Sequence, residues 1–221
     1  MRAALGVVIG VALAAPAWSA PCPTTQLNCG GALESSAVAD SCSYADCDGS
    51  GSASFNAVLG RVAAMGHGGS CSGIGQTSVR SEDEFQVLGV APGTPLTFGA
   101  VLTVNEIVCP GTVVGCCAGV ASAALYGPVE GDSILVSTHG AACISLPTTV
   151  QVMIQANAGD PFRVIAIAQA SGNEIASGSI VGTLSFTGLP AGASVTSCRG
   201  FVQNVVPTLA ATWGRLKSAY R

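Results

Sequence analysis

Two acidic side chains flank Cys47 in Asp46-Cys47-Asp48-Gly49-Ser50-Gly51. Alternating carboxylates followed by glycine offer hard oxygen ligands on a tight turn, which is what calcium requires. A complete twelve-residue calcium loop closes on a bidentate Glu, and Ala57 stands at that place. A turn anchored by Cys47 is the competing reading. Asp83 shares strand parity with Phe85 and Val87, so its carboxylate is expected on the core side, where it needs a hydrogen-bonding turn or a cation. Asp46, Asp48 and Asp83 are thus the calcium candidates, and calcium is the only cofactor suggested. Zinc at His67 or His139 is not expected, because no two cysteines show two-residue spacing.

Gly131-Asp132-Ser133-Ile134-Leu135 resembles the first block of GDSL-type esterases, in which the serine is the nucleophile. That resemblance implies a secreted esterase using Ser133. The base of such an enzyme comes from a later Asp-x-x-His. Only His139 follows Ser133, and no Asp stands three residues before it. A strand entered through a Gly-Asp turn accounts for the string equally well. No catalytic residue is assigned, and an enzyme is not expected.

The elements that hold these residues follow from composition. Only 9% of the 221 residues are charged, against about 25% in a typical soluble domain. With 49% hydrophobic residues the chain is too apolar for disorder. Eight Lys and Arg face twelve Asp and Glu, which leaves no basic stripe for nucleic acid. Abundant Gly, Ala, Ser, Thr and Val suit β-structure with many turns.

The first 20 residues read as a signal peptide: Arg2, an apolar stretch from Ala3 to Ala15, then Pro16 and a small-residue cleavage site at Ala17-Trp18-Ser19 or Ala20. The stretch is short for a bilayer span, which takes about 20 residues, and no later segment reaches that length. All ten cysteines follow it: Cys22, Cys29, Cys42, Cys47, Cys71, Cys109, Cys116, Cys117, Cys143 and Cys198. An even number in an exported chain reads as disulfides. Short loops favour Cys22 with Cys29 and Cys42 with Cys47, although sequence does not determine the pairing.

Residues 21–51, rich in Cys, Ser and Gly, read as a loop-like extension. Phe55, Val58, Leu59, Val62 and Met65 have helical spacing, interrupted by Gly60. Beyond them the period is two. Phe98, Ala100, Leu102 and Val104 share one face, as do Val150, Val152 and Ile154, then Phe162, Val164, Ala166 and Ala168, then Ile180, Leu184 and Phe186. Turn sequences such as Pro92-Gly93, Gly159-Asp160-Pro161 and Pro190-Ala191-Gly192 bound these runs. Several such strands predict an all-β, antiparallel β-sandwich of jelly-roll or Ig-like type over 52–202, reinforced by disulfides.

The strings Gly51-Ser52-Ala53-Ser54, Ser81-Glu82-Asp83-Glu84-Phe85-Gln86-Val87, Gly159-Asp160-Pro161-Phe162, Gly178 to Phe186 and Leu189-Pro190-Ala191-Gly192-Ala193-Ser194-Val195-Thr196-Ser197-Cys198 carry a resemblance. Over roughly residues 50–202 the order of elements is similar to bacterial exported β-sandwich ectodomains of PEP-CTERM-type and other choice-of-anchor proteins. The resemblance implies an exported surface architecture, no particular reaction, and strands in place of a helix at 52–66. The Pro-Glu-Pro ending of that group is missing here, so exosortase sorting is not expected, and the cysteine content is higher than is usual in it.

Residues 203–221 form a linker and a basic amphipathic tail. In a short helix capped by Thr212, Trp213 and Tyr220 share a face beside Arg215, Lys217 and Arg221. The tail is a candidate recognition element for sorting or retention machinery. The expectation is therefore a secreted, cell-surface or periplasmic non-enzymatic protein with a surface, matrix or glycan ligand. A carbohydrate-binding module and an esterase are the alternatives. The first needs an exposed aromatic platform, and few aromatics are available.

Overall fold

Phenylalanine gathers at one end of this molecule and glycine at the other. The computed structural model describes residues 21–47, 49–69, 73–108, 119–128, 133–139, 148–173 and 176–205, with backbone alone at 106–108 and 133–139. The tail beyond 205, the first 20 residues, Asp48, Cys71, Cys109, Cys116, Cys117 and Cys143 lie outside the described residues.

Among the described residues every regular element is a strand: β1 (Thr25–Cys29), β2 (Ala32–Ser35), β3 (Ala39–Ala45), β4 (Gly49–Asn56), β5 (Arg61–Gly68), β6 (Ile74–Leu88), β7 (Pro95–Val108), β8 (Gly119–Tyr126), β9 (Ser133–His139), β10 (Thr148–Asn157), β11 (Phe162–Asn173), β12 (Ser177–Thr187), β13 (Ser194–Ser197) and β14 (Val202–Asn204). They form two antiparallel sheets. Sheet A runs β14-β13-β6-β11-β8-β9, with β1 also on β6 and β2 on β1. Sheet B runs β10-β7-β12-β5-β4-β3. The all-β sandwich expected from the period-two runs is the observed fold, and each run named above turns its apolar side inward.

Inward-facing residues shrink along the strands. On β11 they read Phe162, Val164, Ala166, Ala168, Ala170, Gly172, and on β4, from the other end, Gly49, Gly51, Ala53, Phe55. Pairing places Gly172 beside Gly75 and Gly119, and Gly66 beside Gly51 and Gly178. At this narrow end one sheet's backbone lies on the other's. A Cβ on Gly75 would overlap the His67 carbonyl, and one on Gly178 the Val120 carbonyl. Thr77 uses the proximity: its buried hydroxyl reaches the Met65 carbonyl at 2.8 Å and the Ser52 carbonyl at 3.1 Å, both on sheet B.

At the wide end all six phenylalanines are buried. Phe85 stacks on Phe162 at 5.9 Å and meets Phe186 and Phe201 edge-on at 5.1 and 5.7 Å. Each such pair contributes about 1 kcal/mol beyond the area it buries. Where β5 has ended, Gln203 takes the place of a strand. Its amide accepts from the Phe186 N–H at 2.8 Å and donates to the Phe186 carbonyl at 2.7 Å.

Two expectations need correction. Residues 21–51 are not a loop-like extension; they supply β1, β2, β3 and the start of β4. These are mostly short strands at the sheet margins with much of their side-chain surface in solvent, so serine and glycine suffice and no apolar alternation marks them. The helical spacing over 55–65 belongs to strands: β4 and β5 are joined by a turn with Gly60 at φ +60°. The favoured cysteine pairs are also replaced. Cys29 bonds Cys42 across the two layers, because β1 of sheet A packs against β3 of sheet B, and Cys22 bonds Cys198, because the segment before β1 lies beside the turn after β13.

Two stability outcomes follow. Gly75→Ala should cost about 3 kcal/mol by overpacking, whereas Gly31→Ala, with no atom within 4 Å of its new Cβ, should stay within about 0.5 kcal/mol of the parent. Denaturant midpoints measure both. The bonds close loops with sequence separations of 176 and 13. In the chain-entropy account the first is worth roughly 5 kcal/mol and the second roughly 3, so Cys22→Ser with Cys198→Ser should lower stability by about 2 kcal/mol more than Cys29→Ser with Cys42→Ser.

Candidate functional site

β6 has 15 residues, and two short strands share one of its edges. β13 pairs with Phe85 to Leu88 and β1 with Thr77 to Arg80. Both run antiparallel to β6, so they lie end to end with a gap opposite residues 81–84. The turn after β13 and the Cys22–Cys198 disulfide fill that gap, and the Cys198 N–H donates to the Glu84 carbonyl at 2.9 Å. Two strands from opposite ends of the described chain are thus spliced into one edge.

Asp83 lies under the splice on the inner face of sheet A, 6% exposed. Its carboxylate accepts from the Glu84 N–H at 2.8 Å, from the Ser197 hydroxyl and from the Arg199 N–H. Burial pushes its pKa above the ordinary 3.8, and those hydrogen bonds with the nearby Arg199 charge oppose the rise. Arg199 is itself 5% exposed. Its guanidinium donates to the Thr25 hydroxyl, the Pro23 carbonyl and the Ser35 carbonyl, and lies 5.6 Å from the centre of the Phe55 ring. Desolvation pulls the guanidinium down from its ordinary value, while Asp83 and Glu82 hold it up. One cation thus ties the chain start, β2 and the turn after β13 together.

Beside Asp83 a cavity of about 20 Å³ is lined by Asn56, Ser81, Val62, Phe85, Val164 and Leu184. That is room for one water molecule. The cluster contains a buried carboxylate, two hydroxyls and an arginine engaged by three oxygens. It holds strands in place and contains no nucleophile–base pair.

The other candidates are dispersed. Asp46 caps the β3–β4 hairpin: its carboxylate accepts from the Gly49 N–H at 2.9 Å and its own N–H donates to the Gly49 carbonyl at 2.9 Å. Among the described residues no three His, Cys, Asp or Glu side chains gather as metal ligands. Ser133 and His139 open and close β9, and their side chains are outside the described set. His67 is exposed on β5. Tyr44 packs on Gly30, and its hydroxyl accepts from the Gln76 N–H at 2.7 Å, so it is a structural tether and not part of an aromatic platform. Trp213, Arg215, Lys217, Tyr220 and Arg221 fall outside the described residues. Among the described residues no helix is long and apolar enough to cross a membrane. Sequence reasoning missed Arg199. The available signal was a lone arginine directly after Cys198 in an uncharged stretch.

No protein-family model matches this chain, and neither does any curated protein or solved structure.

Because native Asp83 holds its proton more tightly than the unfolded chain, its contribution is greatest at low pH and is lost as pH rises from 3.8 through the native pKa. Asp40, with its pKa lowered by Ser35 and the Ser41 N–H, acts in the opposite sense. Melting temperatures of parent and Asp83→Asn between about pH 4 and pH 7 isolate the Asp83 part: the difference parent minus variant should fall as pH rises. Arg199→Ala, which orphans the Pro23 and Ser35 carbonyls and the Thr25 hydroxyl, should cost about 3 kcal/mol in the same measurement.

Proposed function

We propose that this chain is an exported, non-enzymatic surface, matrix or binding protein of bacterial type, released from a signal peptide at residues 1–20. The observation that carries the reading is the Cys22–Cys198 disulfide. Bonds of this kind persist in oxidising compartments outside the cytosol. Cys22 lies two residues past the expected cleavage position, and the first strand begins at Thr25. The similarity to PEP-CTERM-type ectodomains points the same way. The basic tail with Trp213 and Tyr220 serves retention at the surface.

Fractionation of producing cells, with mass mapping of disulfides and of the N-terminus, tests the reading. The expected product begins near Pro21, is found outside the cytosol and contains the Cys22–Cys198 and Cys29–Cys42 pairs. A cytosolic product that retains Met1 to Ala20 with reduced Cys22 and Cys198 would refute it. A chain ending at Val206 should be exported equally well but released from the surface.

A further inference from the structure

The two outer faces of the sandwich differ in charge. On sheet A, Glu82 meets Arg163 at 3.0 Å and Arg80 at 3.5 Å. On sheet B the outward strand positions are mostly serine, threonine, asparagine and glutamine, with Met65 and Met153 exposed among them, and Arg61 and His67 are the only ionisable residues at them among the described side chains. Register sets the hydroxyls in rows. Thr149, Thr103 and Thr183 stand side by side across β10, β7 and β12. On β3 and β4, Ser43 faces Ser52 and Ser41 faces Ser54. The grid repeats every ~4.8 Å between strands and every ~7 Å along them. Asn105, at the irregularity where the β7–β12 register shifts, donates from Nδ2 to the Thr183 hydroxyl oxygen at 3.3 Å. That leaves the Thr183 proton for an incoming acceptor.

We propose that the outer face of sheet B binds a neutral polysaccharide laid across the strands. The proposal rests on the exported binding-protein reading and names its partner class. The near absence of charge on this face, with ion pairs on the opposite one, disfavours an ionic partner, whose charges would lose hydration without compensation. A second protein surface also fits poorly. The buried centre of a protein interface is about 65% apolar, and this face would bury rows of hydroxyls without partners. A sugar chain brings hydroxyls that both donate and accept at every ring. The interstrand step is close to the length of one ring in an extended chain, so a row such as Thr149, Thr103 and Thr183 meets successive sugars. Without an aromatic platform, affinity comes from many weak contacts along a long polymer and not from one sugar.

The test is depletion of the purified, oxidised full chain by insoluble cellulose and chitin, with alginate as an anionic comparison, at low and high salt. The expected result is binding to at least one neutral polymer that changes less than twofold with salt. Thr103→Val with Thr183→Val, which keeps strand propensity and shape, should weaken it at least tenfold with an unchanged melting temperature. Arg163→Gln on the opposite face should leave it intact. Binding to neither neutral polymer, salt-sensitive binding to alginate alone, or self-association blocked by the threonine substitutions would each overturn the proposal. Fractionation of cells bears only on export, so failure of that reading and failure of this one are separable.

Discussion

The distance between the two sheets governs this structure. Sheets whose facing side chains are of ordinary size pack about 10 Å apart. Here the largest side chains between the sheets are gathered where Phe85, Phe98, Phe162, Phe186 and Phe201 interlock. Toward Gly66, Gly75, Gly119 and Gly178 the sheets converge until backbone lies on backbone. The wedge explains two features of composition together: every phenylalanine is spent at one end, and glycine recurs at inward positions where any Cβ would force the sheets apart. It also explains why Thr77 can reach carbonyls of the facing sheet from an ordinary strand position.

The wide end creates a second need. Six aromatic side chains separate the sheets enough that short strands must close the margin, and β1 and β13 are too short to cover β6 alone. Arg199 and Asp83 meet that need with charge inside a core. A buried carboxylate and a buried guanidinium are each costly to desolvate. Their cost is offset because hydrogen bonds from Glu84, Ser197 and Arg199 satisfy the carboxylate, and three oxygens and the Phe55 ring satisfy most of the guanidinium. The disulfide beside them converts this local polar cluster into a covalent closure.

How much of this was legible in the sequence depended on burial on one side or two. β7, β10, β11 and β12 face the core on one side and solvent on the other, so Phe98 to Val104, Val150 to Ile154, Phe162 to Ala168 and Ile180 to Phe186 announce them at period two. β1 to β4 carry serine, glycine and cysteine at positions that either meet another backbone or remain exposed, and alternation of size is invisible to a reading based on hydrophobicity. Asp83 was legible as an inward carboxylate because parity needs only its neighbours. Arg199 was not, because its oxygen partners at Pro23, Thr25 and Ser35 are contributed by a segment more than 160 residues away. The pairing of Cys22 with Cys198 was hidden for the same reason.

That bond has a mechanical side. A protein held at a surface by one terminus and pulled through the other normally transmits force through its strands, and the sheets shear or unzip. Here any load entering near residue 22 and leaving beyond residue 198 crosses between the two sulfurs. The strands from β1 to β13 lie on a closed covalent ring and stay slack while its ends are stretched, and only Arg199 to β14, beyond the bond, carry the load.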